Sequence, residues 1–429
     1  MENQSISAIR AREILDSKGR PMVEVDVWTA GGVMGRGASP CGTSVGSHEA
    51  FVLRDGGKRF GGLGVQKAVR NVGEVLLPGL KGMNVLDQRA IDDRMVELDG
   101  SANKARLGAN AIYSVSIAVA RAAAQSMGVP LYCYLGEKNA RRLPIPIFNL
   151  INGGVYPHGK IEIQEFILIP SRAPSFSEAL RMGVEIFYEV GKTLKKRYGE
   201  TSLCLGHSGG YAAPVNDPAG MVRILMEAAG TAGYAGMFRI GLDCAATHFF
   251  DKSQKDYHFV GKRATREQII QFLEEMARSC SLYMVEDPLE EDDFDGFAEI
   301  TRRLDLIISG DDLFVNNLNR LKRGISVGAA NAMVLKPNMI GTLSEALDTA
   351  DFARKHGYTI IASCRAGGSP DDPIPDVAVA VGAPLIKAGA PQTGERTSIQ
   401  NRLLRIEEEL GDDAVLCPIP KASRETLAP

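Results

Sequence analysis

Neither sign of charge dominates this chain: 49 Lys and Arg stand against 52 Asp and Glu, a formal net charge of −3. Nucleic-acid binders and polybasic membrane-surface proteins need clustered positive charge, so neither class is expected. Long apolar runs are also missing. The best one, Ala111 to Ala120, stops at Arg121, far short of the ~20 residues that span a bilayer. The opening residues, MENQSISAIRARE, carry no apolar segment of signal-peptide type, and a cytoplasmic location is expected. Seven cysteines (Cys41, Cys133, Cys204, Cys244, Cys280, Cys364, Cys417) form no CxxC pair. An odd count spread over a long chain does not suit a disulfide framework and reads as reduced thiols.

What is present is length and a change of rhythm. With 429 residues the chain exceeds one average domain. Ile9 to Asp16, a turn over Ser17-Lys18-Gly19-Arg20-Pro21, and Met22 to Trp28 read as a hairpin, with Val23, Val25 and Val27 alternating against charged neighbours. Helical patterns follow from Gly64 and through Ala109 to Ala124. Strands followed by helices, without strict alternation, predict a small α+β domain over 1–130, and 131–143 reads as a linker.

From 144 to 417, compact apolar runs precede helix-start signals such as Ser175-x-x-Glu178, Thr265-x-x-Gln268 and Thr342-x-x-Glu345. The runs MFRIGLD, SLYMVED, LDLIISGDD, ANAMVLK, YTIIASCR and APLIK each end on ionisable residues: Asp243, Glu286 with Asp287, Asp311 with Asp312, Lys336, Arg365 and Lys387. Buried strands whose C-terminal ends carry the chemistry predict a βα-barrel and an α/β fold class. Residues 418–429 read as a loose tail.

Three carboxylates, Asp243, Glu286 and Asp311, converging in one pocket would repel unless a cation neutralised them. Hard oxygen ligands without His or Cys favour Mg²⁺. Lys336, Lys387 and Arg365 at neighbouring strand ends supply a base and anion anchors. Metal and cations together suit removal of a proton α to a carboxylate. Salt-bridge partnership with the acids is the plainer alternative for the basic groups. The small-residue loop Pro40 to Ser47 offers amides and a hydroxyl to a phosphate, or is a plain connecting turn. Glu165, inside IEIQEFILIP, is a candidate acid or a buried structural carboxylate.

These segments resemble the enolase family. The similarity runs through AREILDSKGRPMVEV, FNLINGG, QEFILIP, VEDPLEEDDF, SGDDLFVNN, LKPNMIGTLSEA, IKAGAP and LLRIEEELG, in order and over nearly the whole chain. It implies an enolase-type βα-barrel with an N-terminal α+β capping domain, usually a homodimer, acting on a small anionic phosphorylated acid. It further implies Mg²⁺ on Asp243, Glu286 and Asp311, Lys336 as the α-proton base, Lys387 and Arg365 as substrate anchors and Ser44 in a closing loop. A Lys base beside Mg²⁺ is an established pattern of that superfamily, not a deduction from these residues.

The chain departs from the family pattern at selected positions. Where enolases read GDEGGFAP it reads Gly206-His207-Ser208-Gly209-Gly210-Tyr211-Ala212-Ala213-Pro214, so Ser208 replaces the acid that protonates the leaving hydroxide and His207 its acidic neighbour. Tyr156 replaces the substrate-facing His of NGGSHAGN, with His158 two residues on. Cys364 and Ala366 replace the His and Ser that flank Arg365. A missing acid predicts a leaving group that departs unaided, such as phosphate. This favours a diverged transferase or lyase of the carboxyphosphonoenolpyruvate synthase type, taking CMP-phosphonoformate and a phosphoglycerate, with His207, Tyr156 and His158 facing the phosphono or nucleotide portion. Two other readings stand beside it: phosphopyruvate hydratase whose acid role has moved to Glu165 or His207, and a non-catalytic enolase-fold binding protein.

Overall fold

A computed structural model of the chain describes residues 2–43, 45–136, 140–155 and 161–422. Its contacts divide it into two units, Met1–Arg141 with Lys336–Asp351 and Cys364–Gly382, and Arg142–Leu335 with Phe352–Ser363 and Ala383–Pro429.

In the first unit, β1 (Ile6–Leu15) and β2 (Pro21–Thr29) form the expected antiparallel hairpin. Its turn closes because the Asp16 carboxylate accepts the amides of Lys18 and Arg20, both at 2.8 Å, while Gly19 takes φ +71°. Val23, Val25 and Val27 point into the core, and Asp26 on the other face pairs with Arg12 and Arg36. A third strand that sequence periodicity did not reveal, β3 (Met34–Ala38), pairs with β2. It is too glycine-rich to show alternation, and the reason lies in its packing. A Cβ on Gly35 would sit 2.1 Å from the Ala118 carbonyl oxygen, and one on Gly37 2.4 Å from that of Ser114. The strand therefore lies directly on the backbone of the helix Ala109–Ser126, whose residues are buried almost all round.

The second unit holds an eight-stranded closed barrel. Its strands are β4 (Ile145–Asn152), β5 (Glu165–Ile169), β6 (Arg239–Asp243), β7 (Leu282–Glu286), β8 (Ile307–Gly310), β9 (Ala332–Leu335), β10 (Thr359–Ser363) and β11 (Leu385–Lys387). Six of them are the runs that end on ionisable residues, so the expected α/β class and barrel architecture hold. β5 runs antiparallel to both β4 and β6, every later neighbour is parallel, and β11 returns to pair with β4. One buried cluster takes residues from seven strands, among them Ile147, Ile167, Met284, Ile307, Val334, Ile361 and Leu385. The missing strand, β6, presents Gly241, where a Cβ would lie 2.5 Å from Met284 Cγ. That cluster is the barrel interior.

The helix Arg266–Cys280 starts in a full capping box on Thr265 and Gln268. Ser175 caps Phe176–Tyr198 through the Glu178 amide, and Thr342 Oγ1 accepts the amide of Glu345. Residues 415–422 do not hang free. Val415–Leu416 pairs with Arg142–Leu143, Ile419 and Ala422 pack against the interior cluster, and the Tyr283 hydroxyl donates to the Pro420 carbonyl at 2.7 Å.

Candidate active site

Side chains in a strand alternate, so the inward positions next above the apolar layer can be read off by stepping two residues along each strand. On seven of the strands they are Asn149, Glu165, Asp243, Glu286, Ser309, Ser363 and Lys387, all buried, and on β9 the same step from Val334 passes the strand end to Lys336. An apolar floor thus carries a polar layer at one rim. Register sets the neighbours: Glu165 lies opposite Asp243, Asp243 opposite Glu286, Glu286 opposite Ser309, and Ser363 opposite Lys387. Because β5 runs backward, its first residue, Glu165, reaches the rim that the other strands reach with their last.

Lys387 is the hub. Its Nζ lies 2.7 Å from Glu286 Oε2, 3.1 Å from Asp243 Oδ2 and 3.1 Å from Glu165 Oε2. Burial opposes its charge, but Asp243, Glu165 and Glu286 outweigh that and push its pKa well above the usual lysine range. Burial raises the Asp243 pKa, against the pull of Lys387 and with the push of Glu165 and Asp311. Asp243 also accepts from Gln164 Nε2 at 3.3 Å and from the Ala245 amide at 3.1 Å.

Beside this cluster, carboxylate oxygens of Glu286, Asp287 and Asp311 lie within 4.8 Å of one another. Asp287 braces the next strand end, accepting the amides of Asp311 at 3.0 Å and Asp312 at 2.8 Å. Its own backbone takes φ +40°, and burial, then Asp312 and Asp311, drive its pKa far upward. Buried acids of this density need positive charge, and the carboxylates whose oxygens converge, Glu286, Asp287 and Asp311, are an all-oxygen set of the kind that suits Mg²⁺, whereas the expected third ligand Asp243 is not in that group and pairs with Lys387 instead.

The loop carrying the altered positions folds against the same cluster. The Ser208 hydroxyl donates to Glu165 Oε1 at 3.1 Å, and the Ser208 carbonyl accepts the Ala390 amide at 2.9 Å. Gly389, at φ +73°, permits that approach, since a Cβ there would lie 2.6 Å from the Ser208 oxygen. His207 is half-buried in this loop. The structure thus brings together Glu165, Ser208, Asp243, Glu286 and Lys387, with Asp311 alongside.

Lys336 is the first residue after β9, and Cys364 and Arg365 follow directly on β10. In the first unit, Arg365 makes a bidentate pair with Glu49, and Cys364 is buried. Arg365 and Glu49 line a cavity of about 410 Å³ together with Cys41, Gly42, Gly46 and Asn338. Ser44, Tyr156 and His158 lie outside the described residues. Sequence reasoning missed Glu49, Asn149 and Ser309, and gave no part to Gln164 or Asp287. Asn149 and Ser309 are buried with side-chain polar atoms that lack hydrogen-bond partners among the described residues. Counting by twos from the strand ends would have found Ser309; Glu49 has no such signal.

Two family models match the chain: "Enolase, N-terminal domain" over residues 6–135 and "Enolase, C-terminal TIM barrel domain" over residues 140–422. Among curated relatives, a protein of Methanopyrus kandleri named Enolase is 47% identical over 417 residues, 96% of this chain and 98% of that one. An Enolase of Methanothrix thermoacetophila is 47% identical over 95% of this chain and 97% of its own. One of Thermococcus gammatolerans is 46% identical over 97% of each. Among the described residues no helix is long and apolar enough to cross a membrane.

Proposed function

Because this chain belongs to the enolase family, whose members are Mg²⁺-dependent lyases acting on a small phosphorylated acid, we propose that it is a phosphopyruvate hydratase. It interconverts 2-phosphoglycerate with phosphoenolpyruvate and water. The observation that carries this reading is the convergence of Asp243, Glu286 and Glu165 on Lys387 at the barrel rim.

This corrects the expectation of a carboxyphosphonoenolpyruvate synthase. Relatives 45–47% identical over nearly the whole chain are all named Enolase, and none carries a phosphonate or transferase description. The expectation gave too much weight to the pattern of replacements at His207, Ser208, Tyr156, Cys364 and Ala366. Those replacements leave the barrel, its rim carboxylates and Lys387 in place, and Glu165 stands within hydrogen-bond reach of Ser208.

In this reading Lys336, as a neutral amine, takes the proton from C2 of 2-phosphoglycerate. Asp243, Glu286 and Asp311 would hold the Mg²⁺, which would supply positive charge against the negative charge that builds on the substrate carboxylate. The Lys387 ammonium, fixed by three carboxylates, presents further positive charge to the same group. The resemblance to the family assigns the phosphate to Arg365 and Ser44. The acid at C3 is Glu165 in its protonated form, set beside the Ser208 hydroxyl, with Asp243 and Glu286 then the ionised partners of Lys387; it gives its proton to the hydroxide leaving C3, so the C3–O bond breaks and water departs, and His207 is the second candidate for this step.

The test is phosphoenolpyruvate formation from 2-phosphoglycerate with Mg²⁺, followed by ultraviolet absorbance. Turnover is expected in the native chain. Glu165→Gln should lower kcat by about 10²–10⁴-fold while solvent deuterium still exchanges into C2, and Lys336→Ala should stop that exchange. No phosphoenolpyruvate from the native protein overturns the assignment.

A further inference from the structure

In the barrel unit, strand register gathers polar side chains into a single row. Residues directly opposite each other on neighbouring strands point to the same face, and Asn152, Glu165, Asp243, Glu286 and Ser309 pair in succession from β4 to β8. Asn152 joins that row through an irregularity. Phe148 and Asn149 pair with Leu168 and Ile167, but the register then shifts, so that Ile151 meets Phe166 and Asn152 meets Glu165. Plain alternation from the inward Asn149 would bring Ile151 to the interior and turn Asn152 outward; the extra residue, Leu150, reverses the two. Bulges of this kind re-aim a side chain beside a functional site.

What the bulge delivers is an amide without a partner. Asn152 is 0% exposed, and among the described residues neither its Nδ2 nor its Oδ1 has a hydrogen bond. A buried amide in that state costs free energy that the strand avoids elsewhere by carrying isoleucine, as at Ile145, Ile147 and Ile151. The backbone on both flanks is held: the Asn152 carbonyl accepts the Ala213 amide at 2.7 Å, and the Gly153 amide donates to the Gln164 carbonyl at 2.9 Å. The amide is thus fixed next in line to Glu165, whose Oε1 accepts the Ser208 hydroxyl.

These surroundings restrict what the amide can take. Gly206 closes in from the Ser208 turn, where a Cβ would lie 2.5 Å from Asn152 Oδ1. So enclosed a corner suits a single oxygen atom, not a phosphate or carboxylate group. The carboxylates further along the row disfavour an anion, and the amide carries no charge to attract one. Water matches it, because each offers both donors and an acceptor, and buried polar groups without protein partners commonly hold such a molecule.

We propose that Asn152 binds the water of the hydration reaction. The C3 oxygen, protonated by Glu165, leaves as neutral water and is received by the Asn152 amide; in the reverse direction the same amide holds the water that adds to C3. This deepens the hydratase reading and rests on it.

The test separates the two halves of the reaction. Asn152→Leu, which keeps the branching and removes every hydrogen-bonding atom, and Asn152→Ser, which restores a donor and an acceptor on a shorter side chain, are prepared in the full, Mg²⁺-loaded chain. Phosphoenolpyruvate formation, phosphoenolpyruvate hydration and solvent deuterium exchange into C2 of 2-phosphoglycerate are measured. In Asn152→Leu, formation and hydration should both slow about tenfold, the worth of one hydrogen bond, while exchange at C2 stays within about threefold. Asn152→Ser should recover part of the loss. Equal losses in exchange and formation would reveal a merely structural residue, and unchanged formation no role at all; either overturns the proposal. A high-resolution crystal structure of the native chain supplies a readout independent of activity: a water oxygen about 2.7–3.2 Å from Asn152 Nδ2 or Oδ1 is expected, and its absence overturns the assignment. If the native chain makes no phosphoenolpyruvate, the hydratase reading fails by itself, and crystallography alone judges water binding at Asn152. Should Asn152→Leu not fold, Asn152→Ala carries the same readouts.

Discussion

Replacing Lys387 by Met puts the charge balance of the barrel rim under direct test. The methionine fills similar volume, but the cation 2.7–3.1 Å from Glu286, Asp243 and Glu165 disappears. These carboxylates are between 1% and 5% exposed, so water cannot take over the lost role. Removing one partner of a buried ion pair costs about 3–5 kcal/mol, because it leaves charge buried without compensation. At about 2–4 °C per kcal/mol for a domain of this size, the metal-free variant should melt about 6–20 °C below the native chain. Mg²⁺ held as proposed by Asp243 and Glu286 would bring positive charge to the same carboxylates, so the gap should narrow when both proteins are saturated with it. Circular dichroism melts of metal-free and Mg²⁺-saturated samples at equal protein concentration make the comparison. A metal-free loss below about 2 °C, or the same loss with and without Mg²⁺, would refute the view that ammonium and metal serve a common set of carboxylates.

Other consequences are simpler to state. Gly37→Ala places a Cβ 2.4 Å from a helix carbonyl and should destabilise the first unit by about 1–3 kcal/mol or more, seen as early protease cleavage within it; full resistance would contradict the close packing of β3 on its helix. The Arg59 hydrogen bond, against the effect of burial and with help from the Val65 amide, holds Glu13 down to about 2. Its folded value lies below the unfolded one, so its contribution is complete above about pH 5 and is lost as the pH falls toward 2. Glu13→Gln should accordingly flatten the acid limb of the stability profile, and an unaltered limb would show that other carboxylates govern it. Tyr283→Phe removes the donor to Pro420 and should lower the urea stability of the barrel unit by about 0.5–1.5 kcal/mol; no shift would mean the tail contributes nothing there.

The barrel was legible in the sequence because six of its strands obey one rule: an apolar run, inward every second residue, ending on a charged side chain. Two strands do not obey it. β5 puts its carboxylate first, since it runs against its neighbours, and β4 carries two uncharged asparagines, Asn149 and Asn152, and ends on the second. In the first unit, the valines of β2 announced their strand and the glycines of β3 concealed theirs, because a strand that touches helix backbone has no side chains to alternate. At the site, Asp243, Glu286, Asp311 and Lys387 could be named from strand ends alone. Glu49 could not, since its partner lies 316 residues further on and only the folded chain brings them together. The weight given to the replaced positions was the main error of inference: a lost side chain is conspicuous in a motif, whereas the contact of Glu165, already a candidate acid from its sequence, with Ser208 is visible only in the folded chain.

The last strand of the barrel also sets a schedule for biosynthesis. β4 is translated early, yet the first part of its edge is covered by β11, through pairs such as Lys387 with Ile147, while Tyr211–Ala212 pairs only with its last two residues. At roughly 5–20 residues per second, about 10–50 s separate the two on the ribosome. For that interval the nascent sheet presents both an unpaired edge and a group of acids whose ammonium partner has not yet been made. Ring closure and charge neutralisation therefore arrive in a single event, on a three-residue strand, and the emerging chain depends on it twice over.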